Sequence, residues 1–207
     1  MFSMKKILLI LLFFILGCPQ ISAQKLGQDR FDFSSKPDEM TLSEYATIYY
    51  GENNTDDAMA AILKIKEYER SAQDWLILGN ILQDKGKVAD AAFMYNKAIL
   101  TDKKYYKAYY NLANIYFDEN KLNMAITNYK LASKYNDKFP YAYYNMGCAY
   151  LELGQIKKAK YAFLKAVELK NTIPEFHYNL AFVYKKLGKE KLSKQYLDNY
   201  NNLMLGQ

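Results

Sequence analysis

The sequence predicts an all-α protein, a solenoid of stacked helix–turn–helix pairs, and three observations carry that prediction. Four segments, WLILGNIL (75–82), YYNLANIY (109–116), YYNMGCAY (143–150) and HYNLAFVY (177–184), each begin 34 residues after the one before. Within each segment the recurrent apolar residues fall at spacings of 3, 1 and 3, one stripe of an amphipathic helix. Gly86, Asn120, Gly154 and Gly188 recur at the same point of successive blocks, with Asn53 at that point of an earlier, weaker block. Gly and Asn tolerate the left-handed backbone that ends a helix, so each marks a turn between two helices. With 4 Pro and 9 Gly, the chain is too poor in turn residues for an all-β fold.

The first 23 residues read as an address rather than as part of the fold. Lys5 and Lys6 precede the apolar run 7–16, which is followed by Gly17, Cys18, Pro19 and then Ile21, Ser22 and Ala23. A basic end, an apolar stretch and a small-residue exit describe a secretory signal. The run is shorter than the roughly 20 apolar residues that span a bilayer. Two exits are open. Cleavage after Ala23 releases a soluble protein beginning at Gln24. Alternatively, Ile15, Leu16, Gly17 and Cys18 resemble a bacterial lipobox, in which a signal of residues 1–17 is removed and Cys18 becomes the lipidated N-terminus. Either exit sends the chain to the periplasm or cell envelope, with a lipid on Cys18 as its only membrane attachment. Residues 24–38, containing Gly27, Ser34, Ser35 and Pro37, read as a spacer.

Five units follow, at 39–71, 72–105, 106–139, 140–173 and 174–207. In the four strong units the second helix opens near a small residue, Ala91, Ala125, Ala159 or Ser193, which lets the partner helix approach closely. Four residues on come Tyr95, Tyr129, Phe163 and Leu197, and three further on Ala98, Ala132, Ala166 and Tyr200. The first unit is degenerate and one residue short, with Leu42, Tyr45, Ala46 and Tyr49 followed by Ala58, Ile62 and Ile65. Pro140 and Pro174 open their helices, where a missing N–H does no harm. Units of this kind cannot bury their faces alone, so neighbours stack. The last helix ends in Leu203, Met204 and Leu205, more apolar than a solvent cap, which leaves open a partner, a second copy or a fold-back there.

These positions resemble the tetratricopeptide repeat, a 34-residue helix–turn–helix unit. The family pattern of an aromatic, Leu-Gly, Tyr, Ala, an aromatic and Ala is met by Trp75, Leu78, Gly79, Ala91, Tyr95 and Ala98, with Leu82 in place of the Tyr. Later units carry Ala113, Gly147 and Ala181 where the first strong unit has Gly79, all of them small. The family's usual Pro near the end of each unit is absent. The resemblance covers residues 72–207. It implies a right-handed superhelix whose concave face commonly takes extended peptides or helices, and so a protein or peptide partner.

Reactive chemistry is scarce. His177 is the only histidine and stands where Trp75, Tyr109 and Tyr143 stand in sister units, so it reads as a core ring rather than a base. No CxxC, HExxH, GxGxxG or phosphate-loop sequence occurs, which points away from an enzyme, a metal and a cofactor. Cys148 lies off the core stripe and is either an accessible thiol or a small apolar filler. The formal charge is +6, of which Lys5 and Lys6 lie in the leader. The remainder reads as spread along the chain, without the footprint of nucleic-acid binding.

A second stripe, nearly opposite the core stripe of each first helix, is the candidate binding groove. A merely wetted face would be rich in Lys and Glu. This one carries Leu76, Ile77 and Asn80, then Tyr110, Asn111, Asn114 and Phe117, then Tyr141, Tyr144, Asn145, Cys148 and Leu151, then Tyr178, Asn179 and Phe182. The 21 tyrosines suit such a surface, because each joins an apolar body to a polar tip. Asn111, Asn145 and Asn179 are spaced 34 apart and are expected to form a row that pairs with the backbone of a bound segment. Family members that grip a C-terminal carboxylate use basic residues where this chain has Leu76, Tyr141 and Asn145, which argues against that mode. Two functional readings follow: an exported adaptor that binds protein segments, and a lipidated structural part of an envelope assembly machine, similar in plan to small pilot proteins. An enzyme is the least supported alternative.

Overall fold

A computed structural model describes residues 40–206 of the chain. The leader, Cys18 and the spacer lie outside the described residues. Within them are ten α-helices, α1 (Leu42–Gly51), α2 (Thr55–Lys64), α3 (Ala72–Asp84), α4 (Val88–Thr101), α5 (Tyr106–Asp118), α6 (Leu122–Tyr135), α7 (Pro140–Glu152), α8 (Ile156–Leu169), α9 (Pro174–Lys186) and α10 (Glu190–Leu205). A single 3-10 turn, Glu67–Glu69, separates the first pair from α3. The described residues form two compact units, residues 40–115 and 116–206, divided within α5.

Local chemistry explains the helix boundaries. Thr41 caps α1 in a capping box, its hydroxyl accepting from the Glu44 N–H while the Glu44 carboxylate accepts from the Thr41 N–H at 2.7 Å. These bonds hold the Glu44 carboxyl below the usual range. Ser71 and Asp74 form the same box at the start of α3. Pro140 and Pro174 stand in the first turns of α7 and α9. The turn residues singled out from the sequence are left-handed in the structure, with φ of 62° at Asn53, 75° at Gly86, 57° at Asn120, 68° at Gly154 and 67° at Gly188. Around Asn120 the turn is closed by the Lys121 N–H donating to the Tyr116 carbonyl at 2.7 Å. Asn120→Ala is expected to cost about 1 kcal/mol, because a Cβ without a compensating polar group is strained there, whereas Asn120→Gly should be neutral. Urea unfolding of the two variants checks this.

In residues 40–115, α1 packs on α2, α3 on α4, and α3 on both helices of the first pair. Ala46, Ala58 and Ile62 keep the core of the degenerate pair, and Trp75, Leu78, Ile81, Ala91, Tyr95 and Ala98 that of the next. In residues 116–206, α7 packs on α6 and α8, and α9 on α8 and α10. Tyr129, Met146, Phe163, Phe176, Leu180 and Val183 are buried there. The small residue of the repeat proves to be a matter of clearance: a Cβ built on Gly147 would stand 2.6 Å from a ring carbon of Phe163, and Gly79 meets the Tyr95 ring in the same way.

Two expected core positions differ, the first being Leu42, 39% exposed at the start of α1. Leu197, counterpart of the fully buried Tyr95, Tyr129 and Phe163, is 41% exposed. The helix α10 instead turns Tyr196 inward, stacked on Tyr184 with centroids 5.4 Å apart and lying 5.9 Å from His177. An aromatic ring finds more contact against those two rings than the smaller Leu197 side chain would, and the helix rotates accordingly.

Candidate functional site

The second stripe falls in both units, and each part has its own geometry. In residues 40–115 it centres on Asn80 of α3, a half-buried side chain. Its Oδ1 accepts from Nδ2 of Asn111 at 2.8 Å and faces the Tyr95 hydroxyl at 2.9 Å. The same hydroxyl lies 2.8 Å from Oε1 of Gln83, so one phenolic proton serves two acceptors. Tyr50, from α1, also faces Asn80. Burial pushes the Tyr50 and Tyr95 phenols up, so both remain O–H donors at neutral pH. Tyr50 and Gln83 were not among the residues expected from the sequence. Tyr50 belongs to the degenerate first unit, and only packing brings it beside Asn80.

In residues 116–206 the stripe is built on α7 and α9. Tyr144 is fully buried, stacked on Phe176 with centroids 4.7 Å apart and tilted against Phe163 at 5.5 Å. Nδ2 of Asn179 donates to the Tyr144 hydroxyl at 2.8 Å and lies 4.0 Å from Sγ of Cys148. His177 is buried, with Nε2 2.7 Å from the Asn171 carbonyl. Tyr109 makes the equivalent contact, donating to the Lys103 carbonyl from the same register. His177 is therefore a hydrogen-bonding core ring. Cys148 is fully buried.

The expectation of an open row of asparagines needs correcting. Tyr110, Asn111, Asn114, Tyr144, Asn145 and Asn179 are all buried, while Asn80 and Tyr178 are half-buried. Asn111 and Asn179 spend their amides on the preceding repeat, across 31 residues to Asn80 and 35 residues to Tyr144. A first helix has neighbours on more than one side, so an uncharged stripe is required by packing as well as by binding. What remains accessible of the stripe is apolar and aromatic: Phe117, Tyr141, Leu151, Tyr178 and Phe182 are half-buried. Among the described residues no group of three or more His, Cys, Asp or Glu could hold a metal ion, and no helix is long and apolar enough to cross a membrane.

Paired helices with left-handed turns, a ring clamped over a glycine in two of the pairs, and an uncharged stripe along the first helices define a helical repeat protein. The sequence model of the TPR repeat family matches residues 113–154 and 148–188, so these residues carry tetratricopeptide repeats. Similar solved structures include a crystal structure of MamA, with 22% identity and a TM-score of 0.68 over 78% of this chain and 95% of that one. A MamA RS-1 double mutant gives 17% identity and a TM-score of 0.69 over 80% of this chain and 94% of that one. MamA AMB-1 gives 17% and 0.66 over 80% and 91%. At these identities the likeness establishes the fold. No curated protein gives a significant sequence match. The fold is of the protein-interaction scaffold type.

Proposed function

We propose that the chain is an exported scaffold that holds a segment of a protein partner against the uncharged stripe of its first helices. The observation that carries this reading is the set of half-buried Phe117, Tyr141, Leu151, Tyr178 and Phe182, none of them charged, on helices whose wetted positions would otherwise favour Lys and Glu. Because Asn111 and Asn179 are engaged within the fold, apolar and aromatic contact supplies the affinity. The test is site-specific photo-crosslinking in the native host, with a benzophenone side chain at Tyr141, Tyr178 or Phe182 and, as control, at the outward Tyr161 of α8. Protein adducts from the first three positions and few from Tyr161 are expected. Equal adducts from all four would defeat the reading.

The lipobox-like Ile15 to Cys18 supports a second reading, a lipidated structural component of an envelope assembly. Intact mass of the protein recovered from its host separates the two. A mass beginning at Gln24 fits the soluble scaffold, one beginning at an acylated Cys18 fits the envelope component, and the full chain in the cytosol rejects both.

A further inference from the structure

The turn joining α9 to α10 and the helix ends beside it hold five lysines in ten residues, Lys185, Lys186, Lys189, Lys191 and Lys194, with Glu190 the only acid among them. All five are exposed. None forms an ion pair among the described residues, and Lys186 has only the Phe182 ring, 5.5 Å from its ammonium. The charge is thus more concentrated than its expected spread along the chain.

The repeat register shows what has changed at this turn. Asp84, Asp118 and Glu152 occupy the position of Lys186 in the three preceding units, so the last unit inverts the sign. In the third unit Lys121 pairs with Glu119 at 2.8 Å. The counterparts are Lys189 and Leu187, which leaves Lys189 without that acid. The negative end of α9 accounts for Lys185 and Lys186. Lys189 and Lys191 instead sit at the positive end of α10, where a cation is disfavoured. Neither lysine gains from the dipole of α10.

We propose that this basic turn docks the protein on an anionic phospholipid surface. Lysine is a point charge on a flexible stem and lacks the planar fork with which arginine grips single carboxylates or phosphates. Five exposed lysines around one turn suit a spread negative surface, whose attraction is additive and needs no fixed geometry. Leu192, 37% exposed and set among the lysines, and Leu197, 41% exposed, add apolar contact of the kind that interfacial helices make. The docking depends neither on the leader nor on a lipid at Cys18.

Vesicle sedimentation of the full chain tests it, using phosphatidylcholine alone and phosphatidylcholine with phosphatidylglycerol. The leader is common to every variant, so differences between variants report the turn. Lys186→Gln, Lys189→Gln and Lys191→Gln together are expected to lower partition onto anionic vesicles about 100-fold, with unchanged or raised thermal stability. Lys157→Gln, Lys158→Gln and Lys160→Gln together remove the same charge from α8 and are expected to lower it far less. Equal losses in the two triple variants would reduce the effect to net charge and overturn the proposal. So would partition onto neutral vesicles that matches the anionic ones, or polyglutamate or single-stranded RNA displacing the protein from anionic vesicles at equal charge.

Discussion

Leu180→Ala should destabilise the protein by about 2–5 kcal/mol, the cost of emptying a fully packed leucine site. Leu180 is fully buried in α9, on the stripe shared by Phe176 and Val183, and its counterparts Leu78, Leu112 and Met146 are buried too. The loss combines the transfer of three carbons out of the core with the cavity they leave, which rigid flanking helices fill poorly. In a repeat protein the damage is local before it is global, so denaturant unfolding is expected to broaden into steps. Leu205→Ala is the control. That side chain is 63% exposed, and its loss should cost under about 0.5 kcal/mol. A small effect at Leu180, or equal effects at both sites, would show that the core stripe of α9 is wrongly placed.

Asp74→Ala should cost about 3 kcal/mol, with the loss concentrated in the first helix pair. Asp74 is fully buried, and its Oδ2 accepts three hydrogen bonds: from the Ser71 N–H at 2.7 Å, the Ser71 hydroxyl at 2.8 Å and the Ser43 hydroxyl at 2.9 Å. Two of these cap α3. The third reaches α1, so one carboxylate both starts a helix and ties the degenerate unit to the one after it. Beside it, Gln73 donates to the Thr47 hydroxyl at 2.9 Å, and an exposed pair joins Lys85 to Asp56 at 2.9 Å. Alanine removes the one acceptor shared by three donors, on the exposed Ser71 and the half-buried Ser43, which costs more than the loss of a single cap bond. Ser43→Ala removes only the inter-helix bond and should cost about 1 kcal/mol. Hydrogen exchange reads the difference: amides of α1 and α2 should exchange faster in Asp74→Ala, while those of α9 change little. Uniform acceleration through the chain would contradict a local tie.

The repeat was legible because its information is local. A left-handed Asn or Gly, a proline in a first turn, and an apolar stripe at helical spacing each act within a few residues. Asn53, Asn120, Gly86, Gly154 and Gly188 could therefore be placed without knowing what the helices touch, and all five adopt the conformation expected of them. Even the degenerate unit shows its small and apolar core residues, Ala46, Ala58 and Ile62. The capping box at Ser71 and Asp74 is written in adjacent residues, but its second use, the bond to Ser43, is not.

The candidate site was harder to read, for a definite reason. Angles around one helix separate a core side from an opposite side, and an uncharged opposite side resembles an exposed groove. Packing gives a first helix further neighbours, and side chains that an angle puts outside become bonded between repeats, as Asn111 is to Asn80 and Asn179 to Tyr144. Tyr50 joins Asn80 only because α1 packs against α3. Leu197 and Tyr196 are adjacent in sequence, and the aromatic partners Tyr184 and His177 decide which of them turns inward.

By itself the sequence determined the helices, their turns, the repeat and the leucine-centred core, because backbone conformation and helical periodicity are short-range properties. Only the tertiary structure decided which asparagines and tyrosines of the second stripe are consumed by packing and which stay accessible. A hydrogen bond across 31 or 35 residues depends on how one repeat meets the next, and no local pattern carries that information.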